Sequence, residues 1–116
     1  MLYELPDVRY VDMCIYIDGT VYKDVLTEEE ETLIFQYLFF LCHMFASKGK
    51  FFEKAQYYDD FSVYCATKIF LRLRNPKQFQ YDEDGNPKLK RVKSVLNYIK
   101  SVIDARRVDF QQEFYA

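Results

Sequence analysis

The sequence predicts a mainly α fold, a compact bundle of three main helices, on three observations. The 116 residues include only three Gly and three Pro, too few turn formers for a many-stranded sandwich or barrel. Apolar residues recur at three- and four-residue steps in three separate stretches, the period of helices with a buried side. Helix-start chemistry precedes the longest stretch. Half of the chain is hydrophobic and 19% is aromatic, well above what a disordered chain carries, so a packed core is expected. At this length one domain is expected, 1–116, with an N-terminal segment 1–26, a helical core 27–107 and a tail 108–116.

Residues 8–25 read VRYVDMCIYIDGTVYKDV. Apolar residues flank Asp18-Gly19, a favoured two-residue hairpin turn. A short β-hairpin is the simplest reading. The alternative is a short helix ending at Gly19, because Gly also closes helices.

The first main helix opens at Thr27. Thr27 and Glu30 form a T-x-x-E capping box, and Glu28 to Glu31 sit where a helix dipole favours negative charge. Leu33/Ile34, Tyr37/Leu38, Leu41/Cys42 and Met44/Phe45 carry the helical period, while Phe35, Phe39 and Phe40 make the helix apolar nearly all round. Such a helix is central to its fold. Lys48 and Gly49 end it. The run Leu33 to Phe45 is shorter than the roughly 20 residues needed to span a bilayer.

Phe51 to Tyr57 reads as a short helix or turn. Asp59 or Asp60 then caps a second helix reaching about Arg74, with Phe61, Tyr64/Cys65, Ile69 and Leu73 as its stripe. Asn75-Pro76 stops it. Residues 75–87 read as a loop whose tip, Asp84-Gly85-Asn86-Pro87, is exposed. The third main helix is predicted from about Lys88 to between Asp104 and Arg107, with Leu89, Val92, Val95/Leu96, Ile99 and Val102/Ile103 buried. Residues 108–116 form an aromatic tail that packs back on the domain or docks a partner.

Charge is split along the chain. Residues 1–67 hold five basic and twelve acidic side chains, a net −7. Residues 68–107 hold eleven basic and four acidic ones, a net +7. A segment of the second kind suits an anionic partner. On the third helix Lys90, Lys93, Asn97 and Lys100 recur at steps of three, four and three, and Arg91 widens that face. With Arg106 and Arg107 these cations suit phosphates, Asn97 suits a base edge, and Tyr98 suits stacking on an unpaired base.

No catalytic constellation is legible, so no enzymatic activity and no cofactor are expected. Cys14, Cys42 and Cys65 are an odd, scattered set with a single His43 and no CxxC, which argues against zinc. They read as free thiols of a reducing compartment. His43 has no neighbouring acid in the sequence and is expected in the core or a groove. Asp82, Asp84 and Asn86 lack the glycine position and twelfth ligand of a calcium loop. The N-terminus has neither the basic start nor the apolar run of a signal peptide. A cytoplasmic protein, away from membranes and without a small-molecule substrate, is expected.

Residues 27–107 resemble region 2 of bacterial sigma factors, especially the short, divergent sigma-like late transcription factors of tailed bacteriophages. The likeness rests on the long apolar helix Leu33 to Lys48, on YYDDFSVYCATKIFLRL (Tyr57 to Leu73), and on KLKRVKSVLNYIKSVI (Lys88 to Ile103). It implies RNA polymerase, of host or phage, as a partner held by the second helix near Asp59, Asp60, Tyr64 and Lys68. It implies promoter DNA, bound in that complex, at Lys90, Lys93, Asn97, Tyr98 and Lys100. The acidic, aromatic-rich style also resembles small proteins of gut bacteriophages. The competing expectations are a non-catalytic phage inhibitor or adaptor whose acidic surface binds a host nucleoprotein such as a CRISPR effector or polymerase, and a small virion or scaffold component.

Overall fold

A computed structural model describes residues 1–74, 79–81, 83–89 and 92–115 of the chain. In chain order the elements are α1 (Tyr10–Thr20), α2 (Glu28–Lys48), α3 (Ala55–Leu73), β1 (Phe79–Tyr81), β2 (Pro87–Leu89) and α4 (Val95–Tyr115). The fold is mainly α, as expected. Helix α2 lies at its centre and packs against α1, α3 and α4; α4 also packs on α3 and α1.

The central place of α2 follows from its composition. Ile34, Tyr37 to Cys42 and Ala46 are all buried, so this helix needs neighbours on several sides. Its start is the predicted capping box: Glu30 N–H donates to Thr27 Oγ1 at 3.1 Å, and Thr27 N–H donates to the Glu30 carboxylate at 3.0 Å. Lys23 Nζ reaches the same carboxylate at 2.6 Å. The Lys23 bond first, then the backbone bond from Thr27, pulls the Glu30 pKa down to about 2.

The hairpin expected in residues 8–25 is not formed; the alternative, a short helix, is, as α1 runs from Tyr10 to Thr20, one residue past Gly19. Met13, Ile17 and Val21, at four-residue steps, are fully buried. The intervening Ile15, which an alternating strand pattern would bury with Met13 and Ile17, is 64% exposed. Asp18-Gly19 therefore continues the helix instead of reversing the chain. An antiparallel ribbon does form, but between β1 and β2, pairing Phe79 with Leu89, Gln80 with Lys88 and Tyr81 with Pro87. The segment predicted as a plain loop thus contains β1. Its predicted exposed tip holds: Glu83 to Asn86 are exposed, with Gly85 at φ 83 supplying the left-handed residue that a tight turn needs.

Two helix starts differ from expectation. Helix α3 begins at Ala55, with Lys54 at the N-cap position and no side-chain cap. Asp59 and Asp60 therefore sit within the helix and cap nothing. The linker before it is pinned instead by Tyr58, whose hydroxyl donates to Phe52 O at 2.7 Å and accepts from Phe52 N–H at 3.0 Å. Helix α4 begins at Val95, seven residues after the predicted Lys88. Ser94 Oγ accepts the Asn97 N–H at 3.2 Å, the bond an N-cap serine makes. Lys88 and Leu89 belong to β2.

The predicted tail is part of α4, which runs to Tyr115. Phe110 is 1% exposed and sits in an aromatic cluster with Phe52 (5.7 Å), Phe61 (5.2 Å) and Tyr64 (5.6 Å). The tail therefore packs back on the domain at this position. Arg74, just past α3, donates to the backbone carbonyls of Val21 (2.9 Å), Lys23 and Asp24 (3.2 Å). Tyr22 Oη accepts the Val92 N–H at 3.0 Å. These bonds tie the α1–α2 connection to the end of α3 and the approach to α4. No helix among the described residues is long and apolar enough to cross a membrane.

Candidate nucleic-acid interface

Helices α3 and α4 lie side by side, and their outer surfaces enclose a cleft of about 330 Å³ lined by Lys68, Ile69, Leu71, Arg72, Tyr98, Val102 and Arg106. The geometry follows from helical spacing. Lys68 and Arg72 are one turn apart on α3, while Tyr98, Val102 and Arg106 are one turn apart on α4. Ile69 is buried beneath, and Ile99 and Ile103 anchor α4 on its inner side. Cations from two helices and a half-buried tyrosine ring therefore line one cleft above an apolar floor.

The cleft's charge is little neutralised. Arg106 meets Asp109 at 3.1 Å, a half-exposed pair of the kind worth at most about 1 kcal/mol, which a phosphate can replace. Lys68 Nζ lies 5.0 Å from the centre of the Tyr64 ring, a cation–π contact that leaves its charge available. Arg72 is exposed and makes no ion pair with any described acidic residue. Beneath this surface, burial pushes the Cys65 thiol up to about 12, opposed in part by the nearby charges of Arg106 and Lys68. Cys65 is accordingly a protonated core side chain.

The sequence-predicted residues fall into distinct groups. Tyr98, Arg106 and Lys68 meet in the cleft, although the sequence reading gave Lys68 to a protein partner and the other two to nucleic acid. Asn97 and Lys100 are exposed on the outer side of α4 and Lys93 is exposed just before its start; helical spacing puts Asp104 on the side of Asn97 and Lys100, which dilutes its charge. Lys90 and Arg91 lie outside the described residues. Arg107 is a packing residue: its guanidinium sits 4.4 Å from the centre of the Phe51 ring. Tyr64 is also engaged in packing, against Phe110. Asp60 is exposed. The sequence reading missed Arg72 and Val102 as cleft residues. Their signal was the four-residue spacing to Lys68 and to Tyr98, which carries meaning only once α3 and α4 are known to be neighbours.

Asp59 and His43, sixteen residues apart in the chain, meet between α3 and α2. His43 Nε2 is 3.4 Å from Asp59 Oδ1, while Nδ1 is 3.2 Å from Ser47 Oγ. Asp59 Oδ1 is shielded from solvent and makes no hydrogen bond of good geometry among the described residues, and the Met1 amine lies 3.8 Å from Oδ2. Burial lowers the His43 pKa, more than Asp59 raises it. Ser, His and Asp in series form a nucleophilic relay in hydrolases, but such a relay needs free donors for the oxyanion. Two backbone N–H groups that follow Ser47 in the chain are committed: Gly49 N–H to Phe45 O and Lys50 N–H to Ser47 O. The trio is a polar tether between α2 and α3. No cluster of three or more His, Cys, Asp or Glu suited to a metal ion occurs among the described residues.

Comparison with family models, with curated proteins and with solved structures returned no match for this chain.

Proposed function

We propose that this chain is a non-catalytic nucleic-acid-contacting protein whose α3–α4 cleft takes a single-stranded segment, phosphates on Lys68, Arg72 and Arg106 and one base against Tyr98. The observation that carries the reading is that these three cations, from two helices, line one cleft together with Tyr98. A bare row of surface lysines gives duplex affinity without an aromatic surface; a ring flanked by cations favours an unstacked base. The chain as a whole is slightly acidic, at −2, so the cleft works when a larger partner delivers it. The specific form of the proposal is the one the sigma-factor resemblance implies. The chain docks on RNA polymerase and presents α4 and the cleft to melted promoter DNA, in the manner of a phage-type sigma-like transcription factor.

The test is binding of a short fluorescent single-stranded oligonucleotide, measured by anisotropy with and without RNA polymerase. Three phosphate contacts give a salt slope of about −2, and each cation removed reduces it by about 0.7. Lys68→Ala/Arg72→Ala is expected to flatten the slope and weaken binding, while Lys93→Ala/Lys100→Ala does less. Equal loss in both variants, or no polymerase-dependent binding at all, contradicts the reading.

A second reading has its own observation. Glu30 is occupied by the cap and Lys23, but Glu28, Glu29 and Glu31 are exposed at the start of α2. They form a ready surface for a basic host nucleoprotein, and the chain is then an inhibitor or adaptor. Reversing these three charges separates the two: it abolishes capture of the nucleoprotein and leaves oligonucleotide binding in place.

A further inference from the structure

We infer that α1 is a self-association surface, on which a second copy of this chain docks antiparallel. Helix α1 buries Met13, Ile17 and Thr20. Its opposite side carries Val11, Ile15 and Gly19 at four-residue steps, with Val11 55% and Ile15 64% exposed. Beside this stripe runs a groove of about 590 Å³ between α1 and the start of α4, whose lining includes Tyr10, Cys14, Met44 and Leu96. Apolar side chains recurring once per turn on an open helix side, next to an apolar groove, mark an interaction site rather than ordinary scattered exposure.

Gly19 narrows the occupant. It lies within the helix, its φ is not in the left-handed region, and a Cβ built there meets nothing within 4 Å. Neither turn geometry nor internal packing calls for a glycine, and glycine is among the poorest helix formers. What its absent side chain does provide is close approach by another backbone or a side chain from outside. In an antiparallel pair centred on Ile15, Ile15 meets its own copy and Val11 falls opposite the gap at Gly19, twice over. The stripe is therefore complementary to itself in shape.

Charge points the same way. The groove is bordered by Asp18 and by Lys93, which form no ion pair with each other. A nucleic acid is repelled by Asp18, and a basic protein by Lys93. A second copy turned end for end offers each charge its opposite, as an isologous two-fold contact requires. A helix of 11 residues makes a small interface, so the expected dimer is weak and concentration-dependent, at the low end of stable interface sizes. The α3–α4 cleft stays open in it, and Lys93 is assigned to the dimer rather than to DNA.

Sedimentation velocity of the intact chain across the micromolar range tests this. The sedimenting mass is expected to rise from 14.1 kDa toward that of a dimer, unaffected by nuclease. Gly19→Leu fills the gap and should lower the association constant about tenfold or more, while its thermal midpoint stays at or above that of the parent because the site is open and leucine favours helix. Ile15→Asp should abolish association, and Lys93→Asp should weaken it in a way that Asp18→Lys restores in the double variant. A chain that stays monomeric at every concentration overturns the proposal. So does open-ended assembly, nuclease-sensitive association, or undiminished dimerisation of folded Gly19→Leu.

Discussion

Replacing Phe110 with alanine tests how the cleft is held together. Phe110 fixes the C-terminal half of α4 against α3, one turn beyond Arg106. Its side chain is almost completely buried, with Phe52 and Phe61 presenting edges or faces at 5.7 and 5.2 Å. Truncating a buried phenylalanine costs about 3–5 kcal/mol. Two well-formed ring pairs, each worth about 0.5–1.5 kcal/mol beyond area, place this site toward the upper end. For a domain of this size that corresponds to a fall of roughly 12–20 °C in Tm. Urea unfolding followed by far-UV circular dichroism measures it, with Val108→Ala as the control. Val108 is 55% exposed on the same helix, and its truncation should stay within about 0.5 kcal/mol. Near-equal behaviour of the two variants, both below about 1 kcal/mol, would refute the packing of this segment. The account also predicts that Phe110→Ala, at temperatures where it remains folded, weakens oligonucleotide binding, because Arg106 loses its placement.

Two further outcomes follow from the same contacts. Arg74→Met removes charge-assisted bonds to the carbonyls of Val21, Lys23 and Asp24 and should cost about 2–3 kcal/mol in the same urea assay, since hydrogen bonds to charged groups contribute about 1.5–3 kcal/mol; salt-dependent oligonucleotide binding should be unchanged, as Arg74 does not line the cleft. Stability should also fall with acid in two windows. The folded-state pKa of His43 is lowered, so the unfolded chain binds the extra proton and stability is lost as pH falls through the ordinary value of 6.5 toward the lower folded value. Glu30, lowered from 4.5 to about 2, contributes stability above 4.5 that is lost as pH falls toward 2. Urea midpoints measured against pH should show the upper window vanish in His43→Gln and the lower one in Glu30→Gln.

What could be read in advance was local. The start of α2 was legible because the capping box is a four-residue signal, and its central position because Phe39, Phe40 and the flanking aliphatics leave it no polar side. For α1 the sequence favours a hairpin over a short helix because Asp18-Gly19 between apolar residues is a strong turn signal, and only burial shows that Met13 and Ile17 face inward while Ile15 faces out. The start of α4 was placed too early because Leu89 and Val92 happen to continue its apolar step; Pro87 and Ser94 mark the real transition, from a ribbon strand to a capped helix. The place of the tail is set by Phe110, whose partners, Phe52 and Phe61, lie about fifty residues earlier in the chain, beyond the reach of any local period. The cleft was legible only in parts. Lys68, Tyr98 and Arg106 were each singled out, but their convergence depends on α3 lying beside α4, a tertiary fact that no local period encodes. For the same reason Arg107 and Tyr64 looked available when they are engaged in packing.

The central claim is that the α3–α4 cleft, and not the outer face of α4, meets nucleic acid. An amide chemical-shift titration of the labelled chain with a short single-stranded oligonucleotide at low salt tests it most directly, because weak binding still moves resonances. The account predicts saturable shifts concentrated at Lys68 to Arg72 and at Tyr98 to Arg106, fading as salt rises and absent in Lys68→Ala/Arg72→Ala. Shifts centred on Lys93, Asn97 and Lys100 with the cleft resonances unmoved, or no shifts at low salt, would contradict it.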